Sequence, residues 1–262
     1  MGTSPVESVD MFFNKCTLGV SKRSCNLAVR GELGRFPITI DIILSSLKYF
    51  SHILQSTSDF PLLGLALQES KTIDQKEVFS WFTFVKKIAK NLKLDLSSEC
   101  NGKAIKHDLQ TKFICFWKSE MVRIGREGGK LDFYSKFKSH FVMEDYLKLI
   151  KSRATRSSFS KLRISDHKLE VERGRYLKPK TPRSERFCKH CFDIYGQTIV
   201  GDEVHFLLDC PNFKTLRAPL LAKLPKSLFQ YDKFRQFQFI INAEGTILKE
   251  ASVMIHEAFS SF

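Results

Sequence analysis

Cys188, Cys191, His205 and Cys210 are the residues whose types and spacing most directly imply chemistry. The first two form Cys-x2-Cys. Thirteen residues follow, and His205 and Cys210 then form His-x4-Cys. Thiolates and imidazoles are the ligands zinc prefers, four of them arranged as a tetrahedron. A Cys-x2-Cys knuckle sets two thiolates on one side of an ion, so the second pair has to arrive from the other. With all four positions taken by protein, the expectation is a closed, structural Zn2+ rather than a catalytic ion, which keeps a position open for water. His190 is a competing imidazole, but it lies between the two cysteines and is expected to point away. The plainer alternative is a set of buried cysteines without metal, since free cysteine behaves as a small hydrophobe.

The second ligand pair poses a geometric problem. On a regular α-helix, residues five apart differ by about 140° after a full turn. His205 and Cys210 therefore cannot share one regular helical face. The expectation is a helix over 202–208 that carries His205, with Cys210 just past its end, where Pro211 stops it. Asp202 suits the N-cap and Glu203 the positive end of the helix dipole. Phe206, Leu207 and Leu208 would pack beside the metal.

Charge points to a partner. The chain of 262 residues carries 42 Lys and Arg against 28 Asp and Glu, a net charge of +14. Between Lys151 and Cys191 thirteen basic residues face four acids, so most of the excess sits there. Such a segment attracts polyanions, and nucleic acid is the usual one, RNA or DNA. Arg153, Arg156, Arg163, Lys168, Arg173, Arg175 and Arg183 are the expected phosphate contacts, with Tyr176 and Phe187 interleaved for stacking. The alternatives are a solvated basic face, or pairing with acids of the same protein. A rival class is a protein-interaction module in which the zinc knuckle only braces helices. Lys178, Lys180 and Arg183 with their two prolines also resemble a weak nuclear-import signal, so the expected location is intracellular, nuclear or cytoplasmic.

The elements that have to position these groups read as mostly α. Helical apolar spacing runs over 6–18, 38–55, 62–70, 75–93 and 104–124, with shorter pieces near 131–137 and 144–150. Thr72 or Asp74 would cap the helix over 75–93, whose stripe is Val78, Phe82, Val85, Ile88 and Leu92. Pro37 suits the start of the helix that follows it. Gly125, Gly128 and Gly129 break the long helix, and 212–224, 233–242 and 247–259 complete the C-terminal region. The expected architecture is an irregular helical bundle with a small zinc-stabilised C-terminal module, divided into 1–150 and 151–262. Cys16, Cys25, Cys100 and Cys115 are expected as buried small hydrophobes. The polar first residues from Met1 do not read as a signal peptide, and no apolar run is expected to span a bilayer.

Enzyme motifs are missing. There is no Walker loop, no Gly-x-Ser-x-Gly and no His-Glu-x-x-His. A zinc deaminase pairs His-x-Glu with Pro-Cys-x-x-Cys, whereas Phe187 precedes Cys188 here. Asp166 and His167 are neighbours in a basic stretch and are not expected to form a catalytic dyad.

The run Lys161-Leu-Arg-Ile-Ser-Asp-His-Lys-Leu-Glu-Val-Glu-Arg-Gly-Arg175, then Pro-Arg-Ser-Glu-Arg-Phe-Cys-Lys-His-Cys, then Asp-Glu-Val-His-Phe-Leu-Leu-Asp-Cys-Pro, resembles the C-terminal region of non-LTR (LINE-type) retrotransposon proteins. Asn26-Leu-Ala-Val-Arg-Gly-Glu-Leu-Gly-Arg-Phe-Pro-Ile38 resembles the stretch such proteins carry shortly after the polymerase core. The resemblance covers about Ser24 to Arg217. It implies a region downstream of the reverse transcriptase, with a zinc knuckle that helps hold RNA or target DNA and Cys188, Cys191, His205 and Cys210 as its ligands. Neither a Tyr-x-Asp-Asp polymerase motif nor an endonuclease constellation occurs. The expectation is accordingly a non-catalytic fragment or a retroelement remnant without function.

Overall fold

The computed structural model describes residues 5–57, 59–96, 101–126 and 129–261. Cys100, Gly128 and the first four residues, on which part of the sequence reading fell, lie outside the described residues. Within them the chain is mostly helical and contains no strand, only the isolated bridges Leu33–Met143 and Phe187–Val200. It forms two compact units, one of Met1–Asp10 with Phe36–Phe116, the other of Met11–Arg35 with Trp117–Phe262. The division differs from the expected one at 150. The segment before Phe36 is tied to residues after Trp117: Trp117 Nε1 donates to the Leu27 carbonyl at 2.9 Å, and Glu144 N to that of Glu32 at 2.9 Å.

In the first unit, α3 (Ile38–Ser56), α4 (Pro61–Gln75) and α5 (Trp81–Leu92) pack on one another, while α1 (Pro5–Leu18) and α6 (Gly102–Ile124) belong to it in part. Ile40, Leu44, Leu47, Phe50 and Ile53 recur every three or four residues along α3 and are all buried. The helix expected over 75–93 is broken. Helix α4 continues through Gln75, the chain turns with Glu77 at φ 58°, and α5 starts at Trp81. Ser80 decides the start: its Oγ accepts from Thr83 N at 3.2 Å, and its own N–H donates to Thr83 Oγ1 at 3.0 Å. Two otherwise orphaned donors are thereby satisfied. Val78 falls outside the stripe and is exposed, whereas Val85 and Ile88 are buried as expected.

The second unit adds α2 (Asn26–Leu33), α7 (Asp132–Ser135), α8 (Tyr146–Leu149), α9 (Arg153–Arg163), α10 (Glu170–Arg173), α11 (Lys189–Tyr195), α12 (Lys214–Lys223), α13 (Lys233–Ile241) and α14 (Gly245–Ser260). Helix α14 packs against α9, α12 and α13. Its Leu248, Ala251, Met254, Ile255 and Ala258 meet Phe159, Leu162, Leu220, Phe237 and Ile240 in one buried cluster. Burying each large apolar side chain contributes about 1.5–3 kcal/mol. That cluster also contains Cys191, Phe206, Leu207, Leu208 and Cys210, so the Cys/His segment is built into the core. Cys16 and Cys115 correct the expectation of buried cysteines. They are exposed on α1 and α6, and Cys25 is half-buried. Among the described residues no helix is long and apolar enough to cross a membrane.

Candidate metal centre

The donor atoms of Cys188, Cys191, His205 and Cys210 all lie within 4.8 Å of one another. These four residues can hold a metal ion. Cys188 Sγ and Cys210 Sγ are 3.8 Å apart, and Cys191 Sγ is 3.3 Å from His205 Nε2. His190 stays outside the cluster, with its ring 5.9 Å from that of Tyr195.

Each donor has a local reason for its place. Cys188 precedes α11, and Cys191 lies inside it, so one helical turn presents both sulfurs. Gly196, at φ 63°, closes the helix in the left-handed conformation open to glycine. The chain then returns beside Cys188. Cys188 N donates to the Ile199 carbonyl at 2.7 Å, and Gly201 N to that of Arg186 at 2.9 Å, on either side of the Phe187–Val200 bridge. A Cβ on Gly201 would lie 3.0 Å from Cys188 Cα, which makes this a place where only glycine fits without displacement.

The second pair meets its geometric problem with a different helix. Residues His205–Asp209 form a π-turn, and Cys210 N donates to the His205 carbonyl at 2.8 Å. An i→i+5 hydrogen bond makes residues five apart one turn apart, so Cys210 comes to lie over His205 instead of a third of a turn away. Asp202 starts the segment as expected, its Oδ1 accepting from His205 N at 3.0 Å. Arg217 closes it. Its buried guanidinium donates to the carbonyls of Leu207 at 2.8 Å, Phe206 at 3.3 Å and Cys210 at 2.7 Å. Nothing in the local spacing of Arg217 signals this role. It lies one helix further on, and the only hint is a lone arginine in an apolar stretch.

Electrostatics separates the sulfurs. The hydrogen bond from the Cys210 thiol stabilises Cys188 as thiolate, with help from His205, and brings it down to about 3 despite burial. The same bond, with burial, pushes Cys210 up, and burial raises Cys191. Beside this cluster, burial would raise Glu203, but bonds from His167 Nε2 at 3.0 Å and Ser165 Oγ at 3.0 Å outweigh it and hold the carboxyl below its ordinary value. Asp166 turns elsewhere. Its two oxygens accept from Ser21 N and Ser21 Oγ, each at 2.6 Å, so Asp166 and His167 form no dyad with each other.

The expected phosphate contacts separate into two groups. Arg163 is corrected: it is buried, bonded to Glu32 and Glu144, and stacked over Phe137 and Tyr146. It lies on the apolar side of α9 with Phe159 and Leu162, where a cation needs internal carboxylates. Arg175 is largely enclosed and pairs with Glu172, Arg173 pairs with Glu170, and Arg183 lies near Asp132 and Asp202. Arg156 is half-buried on the Ile150 carbonyl. Arg153 and Lys168 are exposed. Exposed Lys189 and half-buried Lys161, outside the expected set, join them. Lys161 and Lys168 line a groove of about 640 Å³ between α9 and the end of α14. Lys168 and Lys189 also line a cavity of about 70 Å³ bordered by Cys188, Cys210 and His205. Among the described residues, none of these three lysines has a carboxylate partner. Compared with models of protein families, with curated proteins and with solved structures, the chain matches none.

Proposed function

We propose that the second unit is a non-catalytic nucleic-acid-binding module stapled by a structural zinc ion. Donor chemistry supports zinc. A tetrahedral site with Zn–S bonds of about 2.3 Å has sulfur–sulfur edges of about 3.8 Å. Cys188 and Cys210 stand at that separation, 3.8 Å. Three thiolates and an imidazole fill every position, which suits a structural ion. The zinc would contribute rigidity, fixing the α11 knuckle to the π-turn and through it to the core.

The observation that carries the binding role is the row Lys161, Lys168 and Lys189. Lys168 lines both the groove with Lys161 and the cavity at the metal site with Lys189, which links the three. Of the acids lining them, Asp166 is held by Ser21, Glu170 pairs with Arg173 and Asp202 lies near Arg183. Ammoniums free of internal partners are available to phosphates. The contact set follows as Arg153, Lys161, Lys168 and Lys189. The resemblance to LINE-type proteins supports the same ligand class and an origin downstream of a reverse transcriptase. The test is fluorescence anisotropy with labelled single- and double-stranded RNA and DNA at two salt concentrations. The expected result is binding that weakens steeply with salt and shows little sequence preference. No binding at low salt overturns the proposal.

A zinc-braced protein-docking module is the second reading. It is favoured by Phe192, Ile194 and Tyr195, which α11 leaves exposed. Replacing these three while keeping the lysines separates the two, because only docking depends on them.

A further inference from the structure

The four donors lie within 4.8 Å of one another but differ in their surroundings. Cys188 faces Cys210, sulfur to sulfur at 3.8 Å, while Cys191 is engaged with His205 Nε2 at 3.3 Å. Access is unequal as well. Cys191 and Cys210 are buried at 0% and 1% exposure, whereas Cys188 is half-buried. The cavity of about 70 Å³ beside Cys188 and Cys210 does not include Cys191 among its walls. A molecule of water occupies about 30 Å³, so a small peroxide can enter. We infer that Cys188 and Cys210 are a site of oxidative modification, coupled into a disulfide by a two-electron oxidant of the peroxide class, and that this releases the metal.

The chemistry balances without another reactant. The Cys188 thiolate attacks one peroxide oxygen, the O–O bond breaks, and Cys188 becomes a sulfenic acid while hydroxide leaves and is protonated to water. The Cys210 sulfur then attacks Cys188 Sγ. The S–S bond forms, the S–O bond breaks, and the departing hydroxide takes a proton, from the Cys210 thiol or from solvent, to leave as a second water. Two thiols are oxidised and one peroxide is reduced. With two of its four ligands removed the ion is lost, and Cys191 remains a thiol beside His205. The usual expectation for a Cys-x2-Cys pair is the reverse, a bond between Cys188 and Cys191. The cavity reaches Cys188 and Cys210 and leaves Cys191 outside its walls, which favours the longer-range bond instead.

The release half of this inference rests on the zinc reading, but the pairing does not, and the experiment reads them separately. Full-length protein, metal-loaded or chelator-treated, is exposed to hydrogen peroxide. Free thiols are then alkylated, and the chain is digested with trypsin and a glutamate-specific protease, which puts the three cysteines on three peptides. The expected product links Phe187-Cys188-Lys189 to the peptide of Cys210 in roughly tenfold excess over the Cys188–Cys191 link, with Cys191 alkylated. A chromogenic zinc chelator should register metal release in step with that product. The Cys191→Ser variant should give the same link. A dominant Cys188–Cys191 bond, or uncoupled sulfonic acids, overturns the pairing. A correct link in a chain that never held metal overturns the zinc reading alone.

Discussion

Arg163 and Glu32, 131 residues apart in the sequence, meet inside the second unit in a forked ion pair, with Nε to Oε2 at 2.8 Å and Nη2 to Oε1 at 3.2 Å. The same guanidinium donates to Glu144 at 2.6 Å and to the Ile241 carbonyl at 2.9 Å, joining α2, α9 and the end of α13. Glu144 in turn accepts from buried Lys138. Burial works against the charge on Arg163, but the two carboxylates outweigh it and raise its pKa.

Removing one partner of a buried pair leaves an uncompensated charge. Arg163→Met should therefore destabilise the protein by about 3–5 kcal/mol, and adding Glu32→Leu should recover much of that loss. Urea unfolding of both variants checks it. An Arg163→Met protein of unchanged stability but weaker nucleic-acid binding would instead make Arg163 a phosphate contact.

Arg217 supports the π-turn through three carbonyls, and a lysine cannot reproduce its fork. Arg217→Lys should lower metal affinity severalfold and Arg217→Leu more, because buried carbonyls left without donors cost about 1–3 kcal/mol each. Competition against a zinc dye measures both. Equal affinities in all three proteins would show that the turn holds its shape unaided.

Much of this was legible in the residues themselves. The candidate metal donors follow from spacing, and helices such as α3, α13 and α14 follow from apolar residues at helical spacing. The break before α5 was missed because Ser80 and Thr83 form a capping box with threonine in place of the usual Glu or Gln. The π-turn was missed because period analysis assumes a regular helix, although the His-x4-Cys spacing already demanded a departure from one. The fate of Arg163 depended on Glu32, and no local pattern connects residues so far apart. For the same reason, the charge count could mark a basic region but not say which cations were already paired.

Gly201 lies against the Cys188 backbone, with its added Cβ meeting Cys188 Cα at 3.0 Å and N at 3.2 Å. Gly201→Ala should displace the knuckle by a few tenths of an ångström at a cost of about 1–3 kcal/mol, felt first as weaker metal binding and only then as loss of helix. Circular dichroism alongside zinc content separates the two. Full metal occupancy in the alanine variant would mean that the loop yields freely.

Binding through the lysine row has its own signature. Lys168→Gln should weaken RNA and DNA alike and reduce the slope of log K against log salt by about 1, as should Lys189→Gln. Arg175→Gln should leave the slope unchanged, since that guanidinium is engaged by Glu172 and by the Gly129 carbonyl. Equal effects at all three positions would contradict the division into free and spent cations.

Native mass spectrometry of the full-length chain, purified without added metal, tests the zinc staple most directly. One zinc ion per chain is expected, lost from Cys210→Ser and from His205→Ala but retained in Cys16→Ser and Cys115→Ser. A wild-type chain that carries no metal and takes none up from micromolar zinc, while remaining folded, would contradict it.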